Sequence, residues 1–444
     1  MSEWKETEID LIPKDWEVTK LENLVDNKRS ICYGIVQPGQ YDPKGIPILR
    51  VNNIRNGRII TDDILKVSKE IESKYKRTRL KAGDLLVTLV GNLGETAIVK
   101  HEYISWNLAR AVGLVPLNNT VSNLWVKYCF DIPYIKHCIK AWANTTVQPT
   151  LNLKELAQLP IPIPPINEQK SITKVISCLD RKIDNLRRQN QTLEKIAQTL
   201  FKHWFIDFEF PNDDGKPYKS SGGAMVASEL GDIPAGWRVG VSGEIINLQG
   251  GFAFKSEDFQ DVGNHGVIKI KNISDNIVDI NKTDFISDSV ASKINLKFKL
   301  SSGDILIAMT GAEVAKIGVV PKTRNSFFLN QRVGLFQEKI NGGKLYIYYL
   351  FSREEYQKAL RDRGSGSSAQ PNISASDVED ITIIIPTLSI IEKFANIAGY
   401  LFIKKCENLF QIQTLTQTRD TLLPKLMSGQ IRIKEGESII EEVK

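Results

Sequence analysis

Cysteine is sparse in this chain of 444 residues: Cys32, Cys129, Cys138, Cys178 and Cys406 are odd in number, widely spaced and free of any CxxC pair. That excludes a disulfide framework and gives no zinc signature, and reduced thiols fit a cytoplasmic protein. Histidine is scarcer still, with His101, His137, His203 and His265 too dispersed for a metal cluster. Long apolar runs are missing, since the densest, Ile381–Ile385, stops at Pro386, far short of the ~20 residues of a membrane helix. The opening MSEWKETEID is polar and acidic, unlike a signal peptide. No GxxxxGK(S/T) phosphate loop occurs, no GxGxxG after a strand, and no HExxH, GxSxG or (D/N)PP(Y/F). Catalysis by this chain alone is not expected, nor a cofactor or metal of its own.

What is present is an ordinary globular composition, 42% hydrophobic and 25% charged, with a net charge of +6. So mild a basic excess permits an acidic partner such as nucleic acid without demanding one. At roughly 100–200 residues per domain, the length suggests two to four domains. An internal duplication organises them, at an offset of about 220 residues. IPKDWEV (Ile12–Val18) returns as IPAGWRV (Ile233–Val239), and LKAGDLLVTLVG (Leu80–Gly91) returns as LSSGDILIAMTG (Leu300–Gly311). TTVQPTLN near Gln148 returns as SSAQPNIS near Gln370. Residues 1–165 and 231–387 carry short β-type runs punctuated by Gly, Asn, Asp and Pro, with short helices between, which predicts two repeated α/β globules in an α+β protein.

Residues 166–209 and 388–429 differ, because their apolar period is helical. Ile172, Leu179, Leu186, Leu193 and Leu200 form one heptad row, and Ile176, Ile183, Asn190, Ala197 and Trp204 the other. In the second segment Phe394, Leu401, Asn408, Leu415 and Leu422 form one row, and Ala398, Lys405, Ile412, Arg419 and Leu426 the other. The spacing predicts two rods of roughly 50 Å, pairing as an antiparallel coiled coil with pseudo-twofold symmetry. Aligning their midpoints sets Asn190 opposite Asn408, Ile183 opposite Leu415, Leu186 opposite Ile412 and Trp204 opposite Phe394. A polar layer between apolar ones fixes register. Residues 210–230, rich in Gly, Pro, Ser and Asp, read as an exposed connector, and 430–444 as a tail.

The positive chemical signal is the placement of basic and amide side chains. Lys74, Lys76, Arg77 and Arg79 precede the GDLLVTLVG strand, and Lys293, Lys297 and Lys299 occupy the matching place in the second repeat. Recurrence at equivalent positions favours phosphate contact over a merely solvated face. Arg50, Asn52, Asn53, Arg55 and Arg58, and then Lys269, Lys271 and Asn272, are candidates for base contact, with turn formation as the competing role. The loop residues Thr145, Thr146 and Gln148, with Ser367, Ser368 and Gln370 in the second repeat, and the isolated Asn92, Arg110, Lys316 and Arg332 complete the candidate DNA-binding set. At the candidate contact loops Arg55 and Arg58 stand against Ser274 and Asp275, which predicts two different half-sites.

The chain resembles the specificity subunits of type I DNA restriction–modification systems over nearly its full length. The resemblance rests on IPxxW opening each half, on the junctions QPTLNLKELAQLPIPIPPINEQKSI and QPNISASDVEDITIIIPTLSIIEKF, on the connector GKPYKSSGGAMVASELGDIPAGW and on the closing TLLPKLMSGQIRI. The second junction departs from the pattern, with Leu388–Glu392 replacing the P-x-x-E-Q seen at Pro165–Gln169. The resemblance implies two target recognition domains that read an asymmetric, bipartite sequence in double-stranded DNA, held apart by conserved spacer helices. It also implies two methyltransferase subunits using S-adenosylmethionine, and motor-nuclease subunits using ATP and Mg²⁺, as partners, with no membrane. A stand-alone DNA methyltransferase with diverged motifs and a protein-only scaffold are the alternatives.

Overall fold

The continuous apolar runs Leu85–Thr88 and Ile305–Ala308 form strands buried at every residue, as a short apolar run bounded by turn residues does when both faces of its sheet are covered. The computed structural model describes residues 3–144, 148–274, 276–281, 283–323, 325–364 and 371–433. They form two units, residues 1–182 with 415–444, and residues 183–414. Each unit holds one globule together with parts of both long helices.

Unit 1 builds an antiparallel sheet in the order Thr96–Ile98, Leu85–Thr88, Val112–Val115, Cys32–Tyr33. Unit 2 repeats that order with Ile317–Val319, Ile305–Ala308, Val333–Glu338 and Ile246–Gly250. A second sheet sets Ile46–Leu49 between parallel Asn107–Leu108 and antiparallel Leu65–Val67. Its twin sets His265–Ile268 between parallel Ser326–Leu329 and antiparallel Asp284–Ile286. Glu17–Lys20 pairs with Pro160–Ile163, and Arg238–Val241 with Thr382–Ile385, so the last strand of each globule, just before a long helix, pairs with one near the globule's start. The expected α+β repeat is the observed one.

One backbone approach recurs in both globules. The isolated parallel bridges Ile35↔Ala109 and Phe252↔Asn330 follow Gly34 and Gly251. A Cβ on Gly34 would lie 1.9 Å from the Leu108 carbonyl oxygen, and one on Gly251 would lie 2.2 Å from that of Asn330. Only glycine fits there.

The long helices run Ile166–Phe205 and Leu388–Met427, 40 residues each and so about 60 Å, longer than the rods expected from the heptads. They run antiparallel within each unit. In unit 2 Asn408 donates to Asn190 Oδ1 at 2.9 Å and the Trp204 and Phe394 rings lie 6.1 Å apart. Ile183 and Leu186 are buried, Leu193 and Leu401 are half-buried, and Ile412 is half-buried on the same seam. In unit 1 Ile176 is buried and Leu179 and Leu415 are half-buried.

Two cations stand in the apolar row of the second helix, and each is answered in the same way. In unit 2 Lys405 Nζ meets Glu194 Oε2 at 2.7 Å and donates to Tyr348 OH at 3.0 Å. In unit 1 Arg419 Nη1 meets Asp180 Oδ1 at 3.0 Å, while Tyr128 OH donates to Asp180 Oδ2 at 2.7 Å. The acid comes from the first helix, the base from the second, and the tyrosine from equivalent helices of the repeated globules (Asn123–Cys129 and Gly343–Phe351). Burial, with the neighbouring carboxylate, pushes both tyrosine hydroxyls well up, so they are neutral donors.

The segment after the second helix returns to the first globule of unit 1. Arg432 forks onto Asp15 (2.7 and 3.1 Å) and Glu168 (2.6 and 2.9 Å), and Glu168 also accepts from the buried Trp16 indole at 3.0 Å. Gly429, at φ +75°, allows this turn, since a Cβ there would lie 2.5 Å from Pro13. The second junction lacks this acid, as its sequence showed, and an aromatic cluster takes over. Phe210 stacks on Trp237 at 4.9 Å and on Tyr218 at 4.5 Å. The connector is therefore folded, with Met225–Ser228 paired to Gly231–Pro234, because its aromatics have an apolar face to cover.

Candidate nucleic-acid interface

The two amide-rich turns are built alike. Val51–Asn53 and Ile270–Asn272 are 3-10 turns leading into short hairpins. Asn53 Oδ1 accepts from Arg50 N at 2.9 Å, and its Nδ2 donates to the carbonyls of Ile60 and Asp63, both at 3.0 Å. Asn272 Oδ1 accepts from Lys269 N at 2.9 Å and its Nδ2 donates to the Asp279 carbonyl at 3.0 Å. Both side chains are buried. Their amides are spent on the turns, which corrects the expectation that they read bases. Asn53→Ala and Asn272→Ala should each cost about 1–3 kcal/mol through unsatisfied buried backbone groups, read by thermal denaturation, while leaving target preference unchanged.

The neighbouring cations are partly spent as well. Arg50 pairs with Asp63 at 2.6 Å; Lys269 and Lys271 share Asp284, at 2.6 and 3.1 Å, and hold its carboxyl below the usual range. Lys269 also lies 3.5 Å over the Phe259 ring. Asn52 and Arg55 are exposed, and Arg55 faces the half-buried Arg58 across the Ile54–Arg55/Arg58–Ile59 hairpin. Asn56 (φ 53°) and Gly57 (φ 75°) turn that hairpin, the left-handed pair that a type I′ turn requires. In unit 2 the register pairs Ser274 with Ile277, so the counterpart of Arg58 is Ile277 rather than Asp275. Asp275 itself lies outside the described residues.

Two further loops meet at one place in each globule. Val90 bridges Thr150, and Gly91 N donates to the Pro149 carbonyl at 3.1 Å, which brings the exposed Asn92 and Gln148 to one rim. Thr310↔Asn372, with Gly311 N donating to the Pro371 carbonyl at 2.9 Å, is the counterpart in unit 2. Thr145, Thr146, Ser367, Ser368 and Gln370 lie outside the described residues. Arg110 and Arg332 are both exposed, but one place apart in the repeat, since Arg110 N donates to the Ile35 carbonyl as Gln331 N does to that of Phe252; Lys316 is paired with Glu313.

The basic segments before the central strands differ between units. In unit 1 Lys76 and Arg77 are exposed on a 3-10 turn, Lys74 stands 3.8 Å from Glu70, and Arg79 forks onto buried Glu72 with both contacts at 2.6 Å. The Arg79 fork, with a bond from Asn107, holds the Glu72 carboxyl below its ordinary range. In unit 2 Lys293, Lys297 and Lys299 are exposed, and Lys297 covers the Phe298 ring at 4.9 Å. Lys81 of the same basic segment lines one cleft with Lys76 and Arg77, together with Lys28 and Arg29, which the sequence reading passed over. The Lys28-Arg29 pair just before the Cys32 strand was the available signal.

Among the described residues no group of three or more His, Cys, Asp or Glu side chains could hold a metal, and no helix is long and apolar enough to cross a membrane. The arrangement suits polyanion binding by unpaired cations on two unlike surfaces.

Comparison with known proteins places the chain in context. The family model described as the type I restriction modification DNA specificity domain matches residues 13–195 and 234–407. The MjaIX specificity subunit of the type I restriction enzyme from Methanocaldococcus jannaschii is 28% identical over 98% of each chain. The EcoBI specificity subunit from Escherichia coli is 34% identical over 43% of this chain and 42% of its own. Among solved structures, the type I restriction–modification S subunit of M. genitalium matches in fold, with a TM-score of 0.57 at 16% identity, over 93% of this chain and 96% of that one.

Proposed function

From the premise that the chain belongs to the type I restriction–modification DNA specificity family, as a specificity subunit, we propose that its two globules read the two parts of an asymmetric, interrupted target in double-stranded DNA. The observation that carries this reading is the repeated scaffold with unlike side chains at matched positions: exposed Arg55 and half-buried Arg58 on one hairpin, exposed Ser274 and half-buried Ile277 on its twin. A common backbone presents the same positions to DNA, and different side chains there select different bases. The helix pair fixes the gap between the two parts. Each helix, about 60 Å long, exceeds the ~34–36 Å of one duplex turn.

The subunit is non-catalytic and works in the cytoplasm. Methylation with S-adenosylmethionine comes from two methyltransferase subunits docked on it, and ATP- and Mg²⁺-dependent translocation and cleavage from motor-nuclease subunits. Exposed Ile397, Tyr400 and Ile403, three residues apart along one face of the second helix and 47%, 77% and 58% exposed, support docking of an apolar partner surface there. The test is co-expression with the methyltransferase subunits, co-purification, and mapping of methylated adenines in genomic DNA. A bipartite, asymmetric motif is expected. A single uninterrupted motif, or methylation by the chain without partners, would overturn the reading.

A further inference from the structure

In unit 1 a cleft of about 520 Å³ opens between the loop carrying Lys28–Ser30, the turn Lys76–Thr78 with the residues after it, and Ile104–Ser105. Its cations fall into two classes. Arg29 is pinned by Asp84, at 2.5 and 2.9 Å, and Arg79 by Glu72. Both carboxylates are buried, 5% and 3% exposed, so each guanidinium is held on a fixed stem and two positive charges are neutralised. Lys28, Lys76, Arg77 and Lys81 are exposed, and among the described residues no carboxylate pairs with them. No acidic side chain lines the cleft. Cys32, at its floor, has its thiol pushed up by burial and adds no negative charge.

Four uncompensated cations around one concavity repel one another, and a single multi-oxygen anion relieves that repulsion through charge-assisted hydrogen bonds. We infer that this cleft seats one backbone phosphate of duplex DNA, and that unit 2 has no equivalent seat. The inference rests on the reading of unit 1 as a DNA-binding globule and deepens it. In unit 2 the twin of Asp84 is Asp304, whose carboxylate accepts from Ser301 N at 2.7 Å as Asp84 does from Lys81 N at 2.8 Å. No guanidinium pairs with Asp304 among the described residues, and burial pushes its carboxyl up. The segment entering the equivalent strand carries buried Ile245 and Ile246, and the equivalent turn carries Leu296 and Phe298 around Lys297. Among the described residues, the concentrated positive seat thus stands in unit 1 and not at the matching place in unit 2.

The number of phosphates is measurable from salt dependence, because each phosphate neutralised contributes about 0.9 to the slope of log affinity against log salt, or about 3.5-fold between 50 and 200 mM. The experiment uses the full chain with its co-purified subunits and a duplex bearing the mapped target, comparing wild type, Lys28→Ala, Arg77→Ala and the double variant. If both residues grip one phosphate, the double variant loses about 0.9 of slope, no more than one phosphate's share. A loss of about 1.8, additive over the two singles, means two separate surface contacts and overturns the seat, as does an unchanged slope. A single methylphosphonate in the half-site read by unit 1 should make wild type and double variant bind alike. No position doing so also overturns the proposal. A deoxynucleoside monophosphate that binds wild type tightly while DNA stays bound would show a seat for a free ligand instead of the polymer. Absence of sequence-specific binding by wild type would sink the broader reading, whereas specific binding with no change in the variants sinks only the seat.

Discussion

Lys405→Ala should destabilise unit 2 by about 3–5 kcal/mol, the cost of leaving one partner of a buried ion pair without the other. For a unit of its size this corresponds to a fall of about 6–20 °C in its melting transition. Lys405 and Glu194 side chains are only 6% and 14% exposed, so solvent screens little of the loss. Without the ammonium, Glu194 keeps only neutral donors, the Tyr348 hydroxyl at 3.3 and 3.4 Å and the Gln198 amide at 3.0 Å, and its charge is left without a counter-charge between the helices. The matching replacement of the whole cluster, Lys405→Met with Glu194→Leu and Tyr348→Phe, should recover most of the stability, because no charge or hydroxyl is then stranded. Calorimetry of the single and triple variants decides it. Equal losses in both would mean that packing volume, not charge pairing, holds this layer.

Glu168→Ala should have the next largest effect, about 2–3 kcal/mol, because it strands the buried Trp16 indole donor and removes one of two forks from Arg432. Trp16 is fully buried against Trp125 at 5.6 Å, so the indole cannot turn toward water. Arg432→Ala should loosen the same junction and change its pH response. Arg432 holds the Asp15 carboxyl below its ordinary range. A carboxyl depressed in the folded state contributes stability that is fully present above its unfolded pKa, about 3.9, and is lost as pH falls through the lower folded value. The difference between wild type and Arg432→Ala should therefore be largest above about pH 4 and shrink on further acidification. Thermal melts from pH 3 to 7 check this, and a difference that grows toward acid would refute the assignment.

Both effects show where the sequence was legible. Lys405 and Arg419 were visible as cations in an apolar heptad row, but their partners were not. Glu194 and Asp180 lie outside the heptad rows, and Tyr348 and Tyr128 belong to other elements far along the chain. The register was legible, because the rows and the asparagine in each rod admit one alignment of their midpoints. Asn53 and Asn272 were legible as a repeated pair but not in role. The same amide serves a turn or a base edge, and only the hydrogen bonds distinguish the two.

By itself the sequence determined the duplication, the two antiparallel helices and the class of protein, since periodicity and repeated motifs are properties of order along one chain. The tertiary structure alone decided which cations are spent and which are free. Arg29 and Asp84 are 55 positions apart, and Arg432 and Asp15 are 417 apart. Charges neutralise one another through distance in space, and a linear order of residues carries that distance only after the chain has folded.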